Sequence, residues 1–298
     1  MAEQTFRIVH FSDVHVGSRP ATLGAWFDKR LLGSLNFYLR RSREVHLERL
    51  GRTCAEIQRL APDAIVCTGD ITSTGTPPEF EHARKLIKPI RQLAPDRFVY
   101  VPGNHDLYVN DARCRKAVRE TFSLLNGGRF ELDSLPARHR IGDMTFYLLN
   151  AAHPTNPFVC SGTFTDSMKK QLAEWLDEPR TGRRRPRVLL NHFPLRRADG
   201  VPVPLRRQLR GGEWLNEQLG NGRIDAALCG HIHRPYRRRI DPSHALEVCA
   251  GSVTIAGKLN VLDYSFETGR FTQFWVDVSE DRTELMPMVE DLAAVSLE

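Results

Sequence analysis

Apolar residues gather in short runs along the chain, at Phe6–Phe11, Ala64–Cys67, Phe98–Val101, Met144–Leu149, Arg187–Leu190, Ile224–Cys229, Leu246–Cys249, Val261–Phe266 and Phe271–Val276. Runs this short predict strands, and the one at 97–101 reads as a buried strand. Between the earlier runs the apolar period changes. Val45, Leu47, Leu50, Cys54, Ile57 and Leu60 recur every three or four positions and predict a helix over 43–60; residues 79–93 and 166–176 read similarly. Strand alternating with helix predicts an α/β fold, and the closing run of strands from about 245 to 277 predicts an antiparallel part.

Two stretches depart from this rhythm. Residues 17–42 hold Trp26-Phe27-Asp28-Lys-Arg and Leu35-Asn-Phe-Tyr-Leu-Arg-Arg41, long for a strand-to-helix connection and rich in aromatic and basic side chains. They fit a lid, an interfacial helix or an extra helix pair packed on the core. The tail, 279–298, is acidic and helix-capable. No repeat or linker divides the rest, so one domain over 1–278 is expected.

Composition narrows the class. The 298 residues are 41% hydrophobic and 26% charged, an ordinary globular balance that excludes disordered and fibrous chains. No apolar run approaches the roughly 20 residues of a membrane span. The opening residues lack the order of features of a secretory signal, so a cytoplasmic location is the expectation. The six cysteines include no CxxC pair and read as buried thiols. The formal charge is +6, and much of it falls in Arg183-Arg-Arg-Pro-Arg187, Arg196-Arg197, Arg206-Arg207 and Arg237-Arg-Arg239. Such clusters attract phosphates, or simply form a solvated basic face.

Polar groups able to do chemistry sit just after the strand-like runs: Ser12-Asp13-Val-His15, Gly69-Asp70, Gly103-Asn104-His105-Asp106, Asn191-His192 and Gly230-His231-Ile-His233. The carboxyl ends of neighbouring strands in an α/β sheet open onto one crevice, so the five clusters should converge. Carboxylates, imidazoles and an amide oxygen together suit two divalent ions such as manganese, iron or zinc. The glycines at 69, 103 and 230 are expected to let the backbone turn sharply beneath the ligands. His10, His46, His82, His139, His153 and His244 match no cluster and read as structural or surface residues.

In this order, DVH, GD, GNHD, NH and GHIH resemble the calcineurin-like metallophosphoesterase superfamily, from residue 6 to about 255. The resemblance implies a four-layer αββα sandwich, two mixed β-sheets flanked by helices, with a dinuclear centre at the strand ends. It places Asp13, His15 and His233 on one ion, Asn104, His192 and His231 on the other, and Asp70 between them. A water activated by both ions then attacks phosphorus in line. It makes His105 the proton donor to the leaving oxygen, with Asp106 orienting its imidazole.

Within the superfamily the chain is most similar to bacterial class III cyclic-nucleotide phosphodiesterases, through Asp13-x-His15 near the N-terminus, GNHD, GHIH, and Gly162 before a helix with Gln171-Leu-x-x-Trp-Leu176. The alternatives are a UDP-2,3-diacylglucosamine pyrophosphatase-type enzyme engaging lipid at the membrane surface through 23–43, a nuclease, and a non-catalytic scaffold. A phosphate-ester substrate is common to the enzyme readings. Nucleic acid is not favoured, and no protein partner is legible.

Overall fold

The computed structural model describes residues 4–17, 44–156, 158–179, 185–280 and 285–286. The aromatic-basic stretch on which a lid or lipid contact would rest, 18–43, lies outside them.

Two six-stranded sheets form the centre. The first has the order β14-β13-β12-β1-β2-β3, with β1 Thr5–Phe11, β2 Ala64–Cys67, β3 Phe98–Tyr100, β12 Lys258–Ser265, β13 Arg270–Asp277 and β14 Leu285–Met286. The second has the order β10-β11-β9-β7-β5-β4, with β4 Ala137–Ile141, β5 Met144–Leu148, β7 Arg187–Leu190, β9 Ala226–Cys229, β10 Tyr236–Ile240 and β11 Ala245–Cys249. Short β6, Gly162–Thr163, pairs with β8, Leu209–Arg210. β1, β2 and β3 run parallel, as do β5, β7, β9 and β11.

The apolar runs are continuous because each central strand is covered twice. Phe6 and Ile8 of β1, with Ala64 and Val66 of β2, meet Phe146, Val188 and Leu228 of the second sheet in the seam between the sheets. Their neighbours Val9, Phe11, Ile65 and Cys67 face the other way, against helices α1 (Arg49–Leu60), α2 (Pro77–Leu93) and α3 (Ala112–Leu125). The far face of the second sheet packs on α4 (Asp166–Asp177) and α5 (Glu213–Gly220) through Leu172, Leu176, Leu215 and Leu219. The layers are therefore helix, sheet, sheet, helix, as the resemblance implied. A one-turn α6 (Val253–Ala256) follows β11.

The structure revises several expectations. The closing strands do hold the expected antiparallel pairings, β10 with β11 and β12 with β1 and β13, but they are shared between the sheets: β11 also lies parallel to β9 in the second, while β12 and β13 extend the first. Within the tail, Leu285–Met286 pair with β13 as a strand, not a helix. Arg237-Arg-Arg239 lies in β10; with β4, which holds Arg138 and Arg140, that strand forms the two edges of the second sheet. Charged side chains on edge strands discourage pairing with another chain. Arg187 is buried, and its guanidinium donates to the Leu176 and Glu178 carbonyls at the end of α4.

Candidate metal centre

Every candidate ligand lies at the carboxyl end of a strand. β1 leads to Asp13 and His15, β2 to Asp70, β3 to Asn104 and His105, β7 to His192, and β9 to His231 and His233. The first sheet thus contributes both carboxylates and the amide, and the second contributes three imidazoles.

The strand ends turn abruptly. Asp13, His15, Asp70 and His231 have φ of 56°, 55°, 52° and 69°, four of the six non-glycine residues in the left-handed region among those described. That conformation costs an ordinary residue about 1–3 kcal/mol and survives only where the surroundings impose it. Here they do: Asp13 and His15 donate backbone N–H groups to the Gly69 and Asp70 carbonyls at 3.0 Å, and the His231 N–H donates to Asp13 Oδ2 at 3.0 Å. The glycines act otherwise than the sequence suggested. Gly69 alone of the three has positive φ, at 94°. Gly103 and Gly230 are needed for close approach: a Cβ on Gly103 would stand 2.2 Å from Asp70 Oδ1, and one on Gly230 would stand 2.0 Å from Ser12 Oγ.

Two ligand triangles result. In the first, His15 Nε2 and His233 Nε2 are 2.9 Å apart and each lies 3.5 Å from Asp13 Oδ1. In the second, Asn104 Oδ1 is 3.2 Å from His192 Nε2 and 2.9 Å from His231 Nδ1, and Asp70 Oδ2 is 3.2 Å from His192 Nε2. Two atoms that each sit about 2.1 Å from one cation are about 3.0–3.4 Å apart at octahedral to tetrahedral angles. One of these donors is also left wanting: Asp13 Oδ1, a vertex of the first triangle, is buried without a hydrogen-bond partner. Oxygen and imidazole donors at these spacings fit a pair of divalent cations.

Electrostatics points the same way. Burial raises the Asp13 carboxyl, an effect that His192 and His233 only partly offset. Burial would raise Asp70 too, but the His192 and His105 imidazoles hold it well below the usual carboxylate range. Burial pushes His192 down, yet the Asp70 and Asp13 carboxylates lift it to about 10, whereas burial and His192 keep His231 well below its usual value. The buried carboxylates therefore draw a positive charge into the cluster, a demand that a divalent cation meets while releasing the imidazole proton.

His105 stands beside the second ligand group. Its backbone N–H donates to Asp70 Oδ1 at 2.7 Å, and its Nδ1–H donates to the Ser73 carbonyl at 2.6 Å. With His15 and Asp70 it also forms a third cluster whose ligand atoms lie within 4.8 Å. Asp106 does not orient this ring as expected. Its carboxylate, raised to about 6 by burial and the Asp70 charge, accepts from the Thr72 N–H and hydroxyl, the Tyr100 hydroxyl and the Gly103 N–H. Asp106 fixes the turn, and a backbone carbonyl fixes the imidazole. The Thr68 carbonyl does the same for His192, taking its Nδ1–H at 2.7 Å so that Nε2 faces the triangle.

The cluster opens into a cavity of about 420 Å³ whose walls add Cys160, Arg207, Ile232 and Arg234. Arg234 was not singled out in the sequence, although it directly follows GHIH. The other unassigned histidines lie outside the two triangles. His10 is wholly buried, not a surface group, and Cys67, Cys114, Cys229 and Cys249 are buried free thiols. Among the described residues no helix is long and apolar enough to cross a membrane.

A family model described as calcineurin-like phosphoesterase matches residues 6–235. The chain is 26% identical over 240 residues to a cAMP/cGMP dual specificity phosphodiesterase of Mycobacterium tuberculosis, a match covering 76% of this chain and 61% of that one. The chain thus spans less than two thirds of that relative's length. A dimetal phosphatase from Danio rerio shares the fold with a TM-score of 0.59 at 13% identity, covering 92% of this chain and 99% of that one. A purple acid phosphatase from yellow lupin (Lupinus luteus) seeds does so with 0.55 at 12% identity, covering 95% and 53%. The chain belongs to the calcineurin-like phosphoesterase family.

Proposed function

We propose that the protein is a metal-dependent phosphoester hydrolase with a dinuclear centre. Asp13, His15 and His233 would hold one ion, Asn104, His192 and His231 the other, with Asp70 between them. The observation that carries this reading is the pair of ligand triangles, with buried Asp13 Oδ1 unpartnered at a corner of one of them. Two bound divalent ions would supply a water activated near neutral pH and neutralise charge developing on the phosphoryl oxygens.

The chain's own groups do the rest. The Ser73 carbonyl holds His105 Nδ1–H, so Nε2 is the ring atom that carries a proton to the leaving oxygen. Asp106 holds Gly103 and Thr72 together, which keeps the backbone that presents Asn104 and His105 in one shape.

Among phosphate esters a diester is the finer reading, and cyclic nucleotides are the first class to assay because the mycobacterial relative bears that name. The test is hydrolysis of bis-p-nitrophenyl phosphate and cyclic AMP by manganese-loaded protein with chelated controls. Turnover of the aryl diester above the chelated control is expected. Its absence in protein shown to bind two metal equivalents would overturn the proposal.

A further inference from the structure

Beside the catalytic cavity runs a second, larger groove of about 830 Å³. The two share Arg207, Ile232 and Arg234. Its floor beyond them is aliphatic: Val203 is buried, Pro204 lines it, and Leu205 is 75% exposed. Its one aromatic lining residue among those described, Tyr236, is engaged through a hydroxyl that donates to the Arg196 carbonyl at 2.6 Å.

Several arginines of this face already have work. Arg196 pairs with Glu213, Arg197 with Asp199 at 3.0 Å, and Arg238 with buried Glu247 at 2.6 Å. Among the described residues, the Arg207 and Arg234 guanidiniums have no ion-pair partner. Both stand on a held backbone. The Arg207 N–H donates to the Pro204 carbonyl at 2.7 Å, and the Cys160 N–H donates to the Arg206 carbonyl at 2.7 Å. Arg234 follows His233, whose carbonyl accepts the Ser252 N–H at 3.3 Å. A Cβ on Gly251 would stand 2.7 Å from the Pro235 nitrogen, so this turn is closely backed.

We infer that Arg207 and Arg234 form a subsite for a second anionic group of the substrate, beyond the scissile phosphate, and that the apolar body of the retained alcohol lies along the aliphatic groove. This rests on the proposed hydrolase reading and deepens it. The scissile phosphoryl group is the charge the buried cluster answers; two guanidiniums at the cavity mouth, unanswered by any carboxylate among the described residues, answer another. The substrate class is therefore a phosphodiester whose retained part carries a carboxylate or a further phosphate. A cyclic nucleotide monophosphate, with one negative charge, would leave this subsite unused.

The test compares two esters with the same leaving group, p-nitrophenyl phenyl phosphate and p-nitrophenyl p-carboxyphenyl phosphate. With the metal-loaded protein, kcat/KM for the carboxylate ester is expected to exceed that for the unsubstituted phenyl ester by roughly tenfold, the effect of one charge-assisted hydrogen bond. In the Arg207→Ala/Arg234→Ala double variant the ratio should fall to about one. Raising the ionic strength should erode the wild-type ratio in the same direction, which tests the idea even if the double variant fails to fold. A wild-type ratio near one, or a ratio unmoved by the double substitution, overturns the subsite while leaving the hydrolase intact. Hydrolysis of neither ester overturns the hydrolase and the subsite with it.

Discussion

Two buried polar clusters lie within a few residues of each other in the first sheet, and they are finished differently. Beneath β1, His10 Nε2 donates to Thr68 Oγ1 at 2.9 Å, Nδ1 accepts from the Asn260 amide at 3.0 Å, and Asn260 Oδ1 accepts from Gln273 at 3.0 Å. Every link in this chain is a protein group, and burial holds His10 neutral, with its pKa lowered to about 3. Three residues on, Asp13 Oδ1 is buried as deeply and accepts nothing. The contrast sets a polar group that serves the fold beside one placed to meet a ligand: a buried polar atom without a partner costs about 1–3 kcal/mol, a cost the His10 network avoids and Asp13 Oδ1 does not.

The contrast can be broken most severely at Asp70. Asp70→Ala should reduce diester hydrolysis to the chelated background, a loss beyond the 10²–10³-fold of removing one preorganised electrostatic group. Bound metal, counted by elemental analysis, should fall with it; full turnover would sink the assignment of Asp70 between two ions. His105→Asn should keep both metals and lose about 10²–10⁴ in kcat. Loss of metal in that variant would show that His105 belongs with the ligands, as its cluster with His15 and Asp70 allows.

Chelation should move stability. At free metal about 100-fold above Kd, binding stabilises the folded state by about 2.7 kcal/mol. Removing it should lower the urea midpoint of wild type and leave Asp70→Ala nearly unchanged; equal shifts in both would mean the cluster is not the binding place. The smallest effect belongs to the completed network. Because folding depresses the His10 pKa from about 6.5 to about 3, its contribution is whole above pH about 6.5 and drains away as pH falls through that window. Between pH about 6.5 and 5 the loss is on the order of 2 kcal/mol. His10→Gln should be less stable at neutral pH and lack this share of the acid slope. Parallel wild-type and variant curves would show that His10 is not held neutral.

The ligands were legible in the sequence because a metal pair dictates side-chain types, and each fell just after an apolar run. The partners that aim them were not, since the Ser73 and Thr68 carbonyls are backbone groups available at any residue. For the same reason the Asp106 carboxylate, the obvious side-chain partner of His105, was misassigned. Helix α3 went unread although Asp111 caps it with bonds to the Arg113 and Cys114 N–H groups, because Arg113, Arg115, Lys116 and Arg119 dilute its apolar stripe. β4 and β10 hid behind their arginines, which read as surface charge and serve as guarded sheet edges.

The division of donors between the sheets carries a last consequence. Acids and amide ride on one slab and three imidazoles on the other, so the distance from Asp70 Oδ2 to His192 Nε2, 3.2 Å, measures how the slabs are seated. A methyl group lost from the seam, at Val66 or Val188 for instance, removes no ligand yet alters that seating. Metal affinity in this architecture is a ruler laid across the sandwich, and it will register slippage in the filling before unfolding does.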